Sequence, residues 1–562
     1  MVGMDTQGST YVPLDNWVYP ALDRLHALGY VDSAFLGLRP WTRLSIAHML
    51  ERSADRIESD SNNHEARLIY AALVREFKPD IERSLNDAPP RADLESVYVA
   101  LRGISGTPLR DSFHLGQTIV DDYGRPFEGG FNDYTGFSAR AEAGRFAFYF
   151  RGETQHAPSA AGYSANLASY LSNTIDNIPF NTGAEFATIP EGPIASANDF
   201  RIMEANLSLH LLGHQVSFGK DDHWLGPDQG ASMLWSNNAE NIYNFEINKI
   251  EPFRIPGLSR VTGPFRYDFF VGALRGHTLV PNPAYQANPS PNIPNVINPG
   301  DPWVHMEKIS FKPTRDLEFG FDRLTVWGGK GHEPITLHTF LHSFFSFQNV
   351  TTNEKFGIDD PGYRLGSFDF TWRLPYLTHW VTLYTDSLVH DDVSPVSAPR
   401  RAGYNPGIYL SRFPGLQHLD LRVEGANTEP ASHSNAQGTP INQGGFLYSE
   451  NVERQGPTNN GFLVGDWVGR QGKGGQAWLT WHLSPQEEVQ FQYRNAKASS
   501  AFIPGGTTQN DFAVQVVKRV RSVFELRGWV QFEKWKAPIY EPGLQSDTTA
   551  TFQFTWFPPI QK

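Results

Sequence analysis

Between residues 15 and 85 the apolar positions recur at helical spacing, and from about residue 95 onward they alternate one by one. The first regime predicts three short helices. Trp17, Ala21, Leu25 and Leu28 form one stripe, with Asp15 as N-cap and Gly29 as a left-handed stop. A second helix follows Pro40 and carries Ile46, Leu50, Ala54 and Ile57. A third carries Ala66, Ile69, Tyr70, Leu73 and Phe77 and stops before Pro79. Each stripe must be buried against something. Asp87, Ala88, Pro89 and Pro90 read as a linker to the rest of the chain.

The second regime predicts strands with one apolar and one polar face. Val489, Phe491 and Tyr493 alternate with Glu488, Gln490, Gln492 and Arg494, and Leu419, Leu421 and Val423 with His418, Asp420, Arg422 and Glu424. Very short links (Gly144, Leu212-Gly213, Pro414-Gly415) alternate with long Pro-, Asn- and Gly-rich ones such as 157–198 and 428–474. Short turns at one end and long loops at the other are the pattern of a transmembrane antiparallel β-barrel. Alternating strand direction from a first strand at 112–120 gives about eighteen strands, with Val97–Gly103 as one more candidate. The expected organisation is a flexible N terminus (1–13), a periplasmic three-helix bundle (14–90) and an outer-membrane barrel with long extracellular loops (91–562). A soluble sandwich is the competing fold.

Composition narrows this. The 562 residues hold 14 Trp, 21 Tyr and 39 Phe, no Cys, and a net charge of −13. Mean hydropathy is nonetheless negative, at −0.40. A barrel reconciles the two by turning aromatics to lipid and charge to its lumen, with Trp380, Trp529 and Trp556 expected in the interfacial girdles. The missing Cys removes disulfide scaffolds and thiolate metal sites. The acidic balance argues against nucleic acid. Residues 1–13 lack the basic and apolar stretches of a signal peptide, which fits a cytosolic chain or one given without its leader. The final strand, Thr551–Phe557, resembles an outer-membrane assembly signal, although Pro558–Lys562 follow it.

Several segments together resemble the Wzi family of outer-membrane capsule-assembly proteins. They are Leu14–Leu25 with Gly37–Arg43, Val216–Pro227 with Leu234–Ala239, Ile309–Gly320, Gly328–Gly331, Ser367–Pro375 and Gly465–Arg470. The resemblance implies an eighteen-stranded, lectin-like barrel that holds capsular or related polysaccharide at the cell surface. The helical start also resembles a surface-layer homology repeat through Trp17, Leu25, Gly29 and Thr42-Arg43, which would make peptidoglycan a partner of Trp17 and Arg43. Leu44-Ser45 departs from that repeat.

Candidate chemistry lies in the loops. Trp224 offers a stacking face for a sugar, and Asp221, Asp222 and His223 can bond hydroxyls or hold a cation; the same residues can equally shape a folded loop. Trp467 and Arg470 pair a ring with a cation for sugar carboxylates. The doublets Asp121-Asp122, Asp221-Asp222, Asp359-Asp360 and Asp391-Asp392 could bridge Ca²⁺ to an acidic polymer, or be solvated loop acids; no other cofactor is expected. No Gly-x-Ser-x-Gly, His-Glu-x-x-His or P-loop motif is present, so no enzyme is expected. The helical insert Pro334–Phe347 is expected over the barrel mouth. The leading expectation is a non-catalytic glycan binder in contact with outer-membrane lipid and lipopolysaccharide. The alternative is a sugar- or ion-conducting porin with a cell-wall-binding helical domain.

Overall fold

The structure, a computed structural model, describes residues 7–85, 89–180, 186–347, 350–357, 359–391, 394–432, 447–521 and 523–559. Asp87, Ala88 and Asp392, singled out in the sequence, lie outside them. Eighteen strands form one closed antiparallel barrel. In chain order they are β1 (Arg91–Gly106), β2 (Gly130–Ala143), β3 (Phe146–Ala157), β4 (Ala197–Leu211), β5 (His214–Lys220), β6 (Tyr243–Asn248), β7 (Phe265–Ala273), β8 (Trp303–Thr314), β9 (Leu317–Trp327), β10 (Tyr363–Arg373), β11 (Val381–His390), β12 (Gly403–Leu410), β13 (Leu419–Asn427), β14 (Gly472–Ser484), β15 (Glu487–Ala498), β16 (Thr507–Val520), β17 (Phe524–Ala537) and β18 (Glu541–Trp556). Each pairs with the next, and β1 closes the ring on β18, Val97 opposite Trp556 and Gly106 opposite Asp547.

The expected number holds, but the expected first strand does not. Residues 112–120 belong to a loop folded into the barrel, where Phe113, Leu115 and Ile119 are buried. Their apolar pattern serves an internal core rather than lipid. The first strand is β1, which contains Val97–Gly103.

Burial is inverted relative to a soluble protein. In β15, Phe491 is 52% exposed whereas Gln490 is 7% exposed. Phe137, Phe148, Phe321, Phe512 and Phe552 likewise face outward, as a lipid-facing wall requires. Trp556 sits outward at the strand end, as a girdle residue would. Trp529 does not: it lies on the inward face of β17 among lumen residues. The helix Leu337–Phe345 is also displaced from its expected place. Phe340 and Phe344 pack on Phe269, at 6.4 and 5.7 Å between ring centroids, and on His305 at 5.8 Å each. Phe269 and His305 alternate with the inward residues Asp268, Phe270, Val304 and Met306, so this helix lies on the outer wall, not over the mouth.

Among the described residues four helices, not three, precede the barrel: α1 (Val18–Ala27), α2 (Arg43–Ser59), α3 (His64–Glu76) and α4 (Lys78–Leu85). Pro79 starts α4, because the first turn tolerates a missing N–H. Gly29 takes a φ of 90° after α1, and a Cβ there would meet the His379 ring at 2.6 Å. Asp15 is not the cap of α1, whose N-cap is Trp17; Asp15 instead pairs with Arg151 of β3 at 2.7 Å. Residues 7–13, expected to be flexible, are buried.

The bundle docks in the short-turn end of the barrel through polar contacts from β1 round to β13. Arg24 spans Glu65 (2.7 Å) and Asp420 of β13 (2.8 Å). Glu318 of β9 accepts the Leu36 and Gly37 amides at 3.0 and 3.1 Å. Arg373 of β10 holds Asp32 at 2.7 Å. The Tyr11 hydroxyl donates to Glu246 of β6 at 3.0 Å, and Arg83 pairs with Glu142 of β2.

Candidate functional site

The loop 221–242 descends from β5 into the lumen. Gly219 begins that descent with a φ of 149°, where a Cβ would lie 2.0 Å from the Ala205 carbonyl. Asp221, Asp222, His223 and Trp224 are brought together, but inside the molecule, each at most 6% exposed. Asp221 accepts the side-chain amides of Asn206 (2.6 Å) and Asn244 (2.9 Å). Asp222 accepts the Leu14 amide (2.8 Å), the Tyr123 hydroxyl (3.1 Å) and the Asn241 amide (2.6 Å). Burial pushes the Asp222 carboxyl up. Burial alone would lower the His223 imidazole, but the Asp221 carboxylate beside it raises it. His223 stacks on Phe270 at 4.1 Å. The Trp224 backbone exchanges two 3.1 Å hydrogen bonds with Arg39. A loop from one end of the barrel thus meets the helical segment from the other.

Above this junction the loops form a core of their own. Leu225, Met233, Leu234, Trp235, Tyr448 and Leu463 pack with Phe113 and strand residues such as Leu324 and Leu388. Trp467 is packed with Ala231, Ala426 and Ala496 and lies under the Arg494 guanidinium. Arg470, 1% exposed, pairs with Asp176 at 2.6 Å and lies over the Phe113 ring. Neither is presented to the outside. His114 joins two loop segments, with Asp111 at 3.0 Å on one ring nitrogen and Asp176 at 2.9 Å on the other. Burial opposes its charge, yet the two carboxylates prevail and raise it to about 9.

The other predicted residues are likewise committed. Asp122 pairs with Arg102 (2.9 Å) and Arg125 (2.7 Å), Asp360 with His332 (3.2 Å) and Asp391 with Arg364 (3.6 Å). Asp122 and Asp360 are largely enclosed with their partners, whereas Asp391 stands exposed at its ion pair. Arg43 is 3% exposed and binds Asp80 at 3.0 Å within the bundle. Trp17 is half-buried and lines an interior cavity. Among the described residues, His223, Glu246 and Asp268 bring donor atoms within 4.8 Å of one another and form the grouping that could hold a metal.

That cavity, of about 580 Å³, lies between the bundle, the loop segment 118–125 and strands β14–β18. Its outer wall carries Gln476, Trp478 and Thr480 of β14, Gln490 and Gln492 of β15, Gln515 of β16, Trp529 and Gln531 of β17, and Gln553 of β18. The amides are chained together. Gln490 donates to Thr480 (3.0 Å), Gln492 to Gln490 (2.6 Å), and the Trp529 indole N–H points at the Gln492 oxygen at 3.4 Å. The Gln476 carbonyl oxygen is buried without a protein partner. The cavity's lower rim includes Leu68 of α3 and Leu483 beside the β14–β15 turn, 43% and 55% exposed. The mouth is therefore at the short-turn end. Sequence reasoning placed Gln490 and Gln492 on the polar face of a strand but gave them no role. The recurrence of Gln at inward positions on successive strands was the available signal.

A family model described as capsule assembly protein Wzi matches residues 100–550. A Klebsiella pneumoniae relative described as an uncharacterized 55.8 kDa protein in the cps region is 22% identical over 322 residues, 56% of this chain and 52% of the relative. The match thus spans about half the length of that relative. Among solved structures, Escherichia coli Wzi, described as an outer-membrane protein involved in group 1 capsule assembly and a carbohydrate-binding β-barrel, superposes with a TM-score of 0.63 at 16% identity. That superposition covers 98% of this chain and all of the other. Pseudomonas aeruginosa OpdQ gives 0.40 at 10% identity, covering 84% and 98%. With its eighteen-stranded barrel and a family match over most of its length, the chain belongs to the Wzi capsule-assembly family.

Proposed function

We propose that the protein is a non-catalytic glycan binder of a Gram-negative outer membrane that helps assemble or hold capsular or related surface polysaccharide. Its short-turn end and helices would face the periplasm, and its long loops the outside among lipopolysaccharide. The observation that carries this reading is the filled lumen. Backbone hydrogen bonds join Arg39 of the bundle side to Trp224 of the loop side, and the loops above share one apolar core. That arrangement suits holding a polymer, not conducting solutes.

The test pairs two measurements on the purified full chain. Retention of the producing strain's surface polysaccharide is expected, together with silence in planar bilayers. Steady open-channel currents without polysaccharide binding would overturn the reading in favour of a porin.

A further inference from the structure

We infer that the glycan is held inside the barrel, in the cavity against β14–β18, and enters from the short-turn end. This rests on the glycan-binding reading above and says where and by what chemistry it acts. Three observations converge. First, the loop residues expected to meet sugar are held by other partners: Trp467 packs on alanines under Arg494, Arg470 pairs with Asp176, and Trp224, which also lines this cavity, is tied to Arg39 through its backbone. Second, the cavity combines the two groups that recognise a pyranose. Amides supply donors and acceptors for hydroxyls, and Trp478 and Trp529 supply rings for the apolar sugar face. At about 580 Å³ it lies in the range of small-ligand sites, enough for a short run of sugar rings.

Third, the wall keeps an unmatched buried acceptor beside the cavity. The cavity's arginines mostly face carboxylates: Arg102 faces Asp122, Arg151 faces Asp15, and Arg494 holds Asp511. The Gln476 oxygen, on a residue 6% exposed, has no such partner. A buried acceptor left unmatched costs free energy unless a donor arrives, and a sugar hydroxyl is a fitting one. Because those arginines are paired and Glu488 adds a carboxylate to the wall, the chemistry favours an uncharged stretch of a hydroxyl-rich polysaccharide over an acidic one.

The test uses size-fractionated oligosaccharides from the strain's own surface polysaccharide and the full chain in lipid nanodiscs. Joint Gln490→Ala and Gln515→Ala substitution is expected to lower affinity about tenfold or more, through the hydrogen bonds lost with the two amides. Trp529→Ala is expected to lower it further, and Trp529→Phe, which keeps a ring, to restore much of it. The chain has no Cys, so a single Gln486→Cys at the cavity rim can be capped with a bulky maleimide. Capping there is expected to block binding, and capping Val396→Cys, on an exposed long loop, to leave it intact. Unaltered affinity in the wall variants and the Gln486 cap, with wild-type binding present, would overturn this inference and keep the glycan-binding reading. Absence of wild-type binding would overturn both.

Discussion

The two arcs of the barrel interior are built on the same alternation, yet they do different work. From β1 round to β13 the inward positions facing the helices are strongly charged, and those charges are matched to the helical segment, as Asp420 is to Arg24 and Arg373 to Asp32. From β14 to β18 the inward positions set Gln and Trp among charged residues such as Glu488, Arg494, Asp511 and Arg527, and face open volume. Charge in the first arc is an assembly device. It is costly to bury unless every partner is present, and so it fixes where the bundle sits. Amides in the second arc pair with one another and still have capacity to spare.

This contrast predicts opposite responses to similar truncations. The largest effect is expected for Arg24→Ala, which leaves Glu65 and Asp420 buried without their cation. A loss of about 3–5 kcal/mol and rapid proteolysis within residues 7–85 should follow. Proteolytic resistance like that of the wild type would break the comparison. Next comes the outer wall: Phe321→Arg, placing a charge on an outward position, should cost ~2–4 kcal/mol near the bilayer midplane. Gln515→Arg, on the inward face, should cost well under half as much in the same denaturant titration.

His114 sharpens the picture for the loops. Its pKa is raised to about 9 by Asp111 and Asp176 against the opposing effect of burial, so the folded state favours the protonated ring. Its contribution is full below about pH 6.5 and is lost as pH rises through about 9, a change of about 3–4 kcal/mol at most. Loop protection from hydrogen exchange should decline over that window, and His114→Gln should remove the pH dependence. A wild-type profile flat across the window would contradict the assignment. The smallest energetic effect is expected at the exposed stripe Leu337, Leu341 and Phe345 of the outer-wall helix. Spin labels at Leu341→Cys and Phe345→Cys should collide with oxygen rather than with a water-soluble nickel chelate, as on an interfacial amphipathic helix.

The barrel was legible because its strands have period two and its connections alternate in length. The alternations read at 488–494 and 418–424 mark β15 and β13. The failures share one cause. Phe113, Leu115 and Ile119 in loop 107–129, and Phe340 and Phe344 on the outer helix, are apolar for reasons local periodicity does not encode. They pack against residues far away in sequence. The site failed similarly. Trp224 and Arg470 have the right chemistry for sugar, but only tertiary structure shows that Arg39 and Asp176 already hold them. The amide wall is dispersed over five strands, so no short motif announces it.

The most direct measurement is a density map of the full chain in lipid with an oligosaccharide of the surface polysaccharide bound. Sugar density is expected against Trp478 and Trp529, within reach of the Gln476 and Gln490 amides, with loop 221–242 still seated on Arg39. Sugar density on the long loops with that chamber empty, or an emptied lumen with the loop withdrawn, would contradict a glycan site inside the barrel.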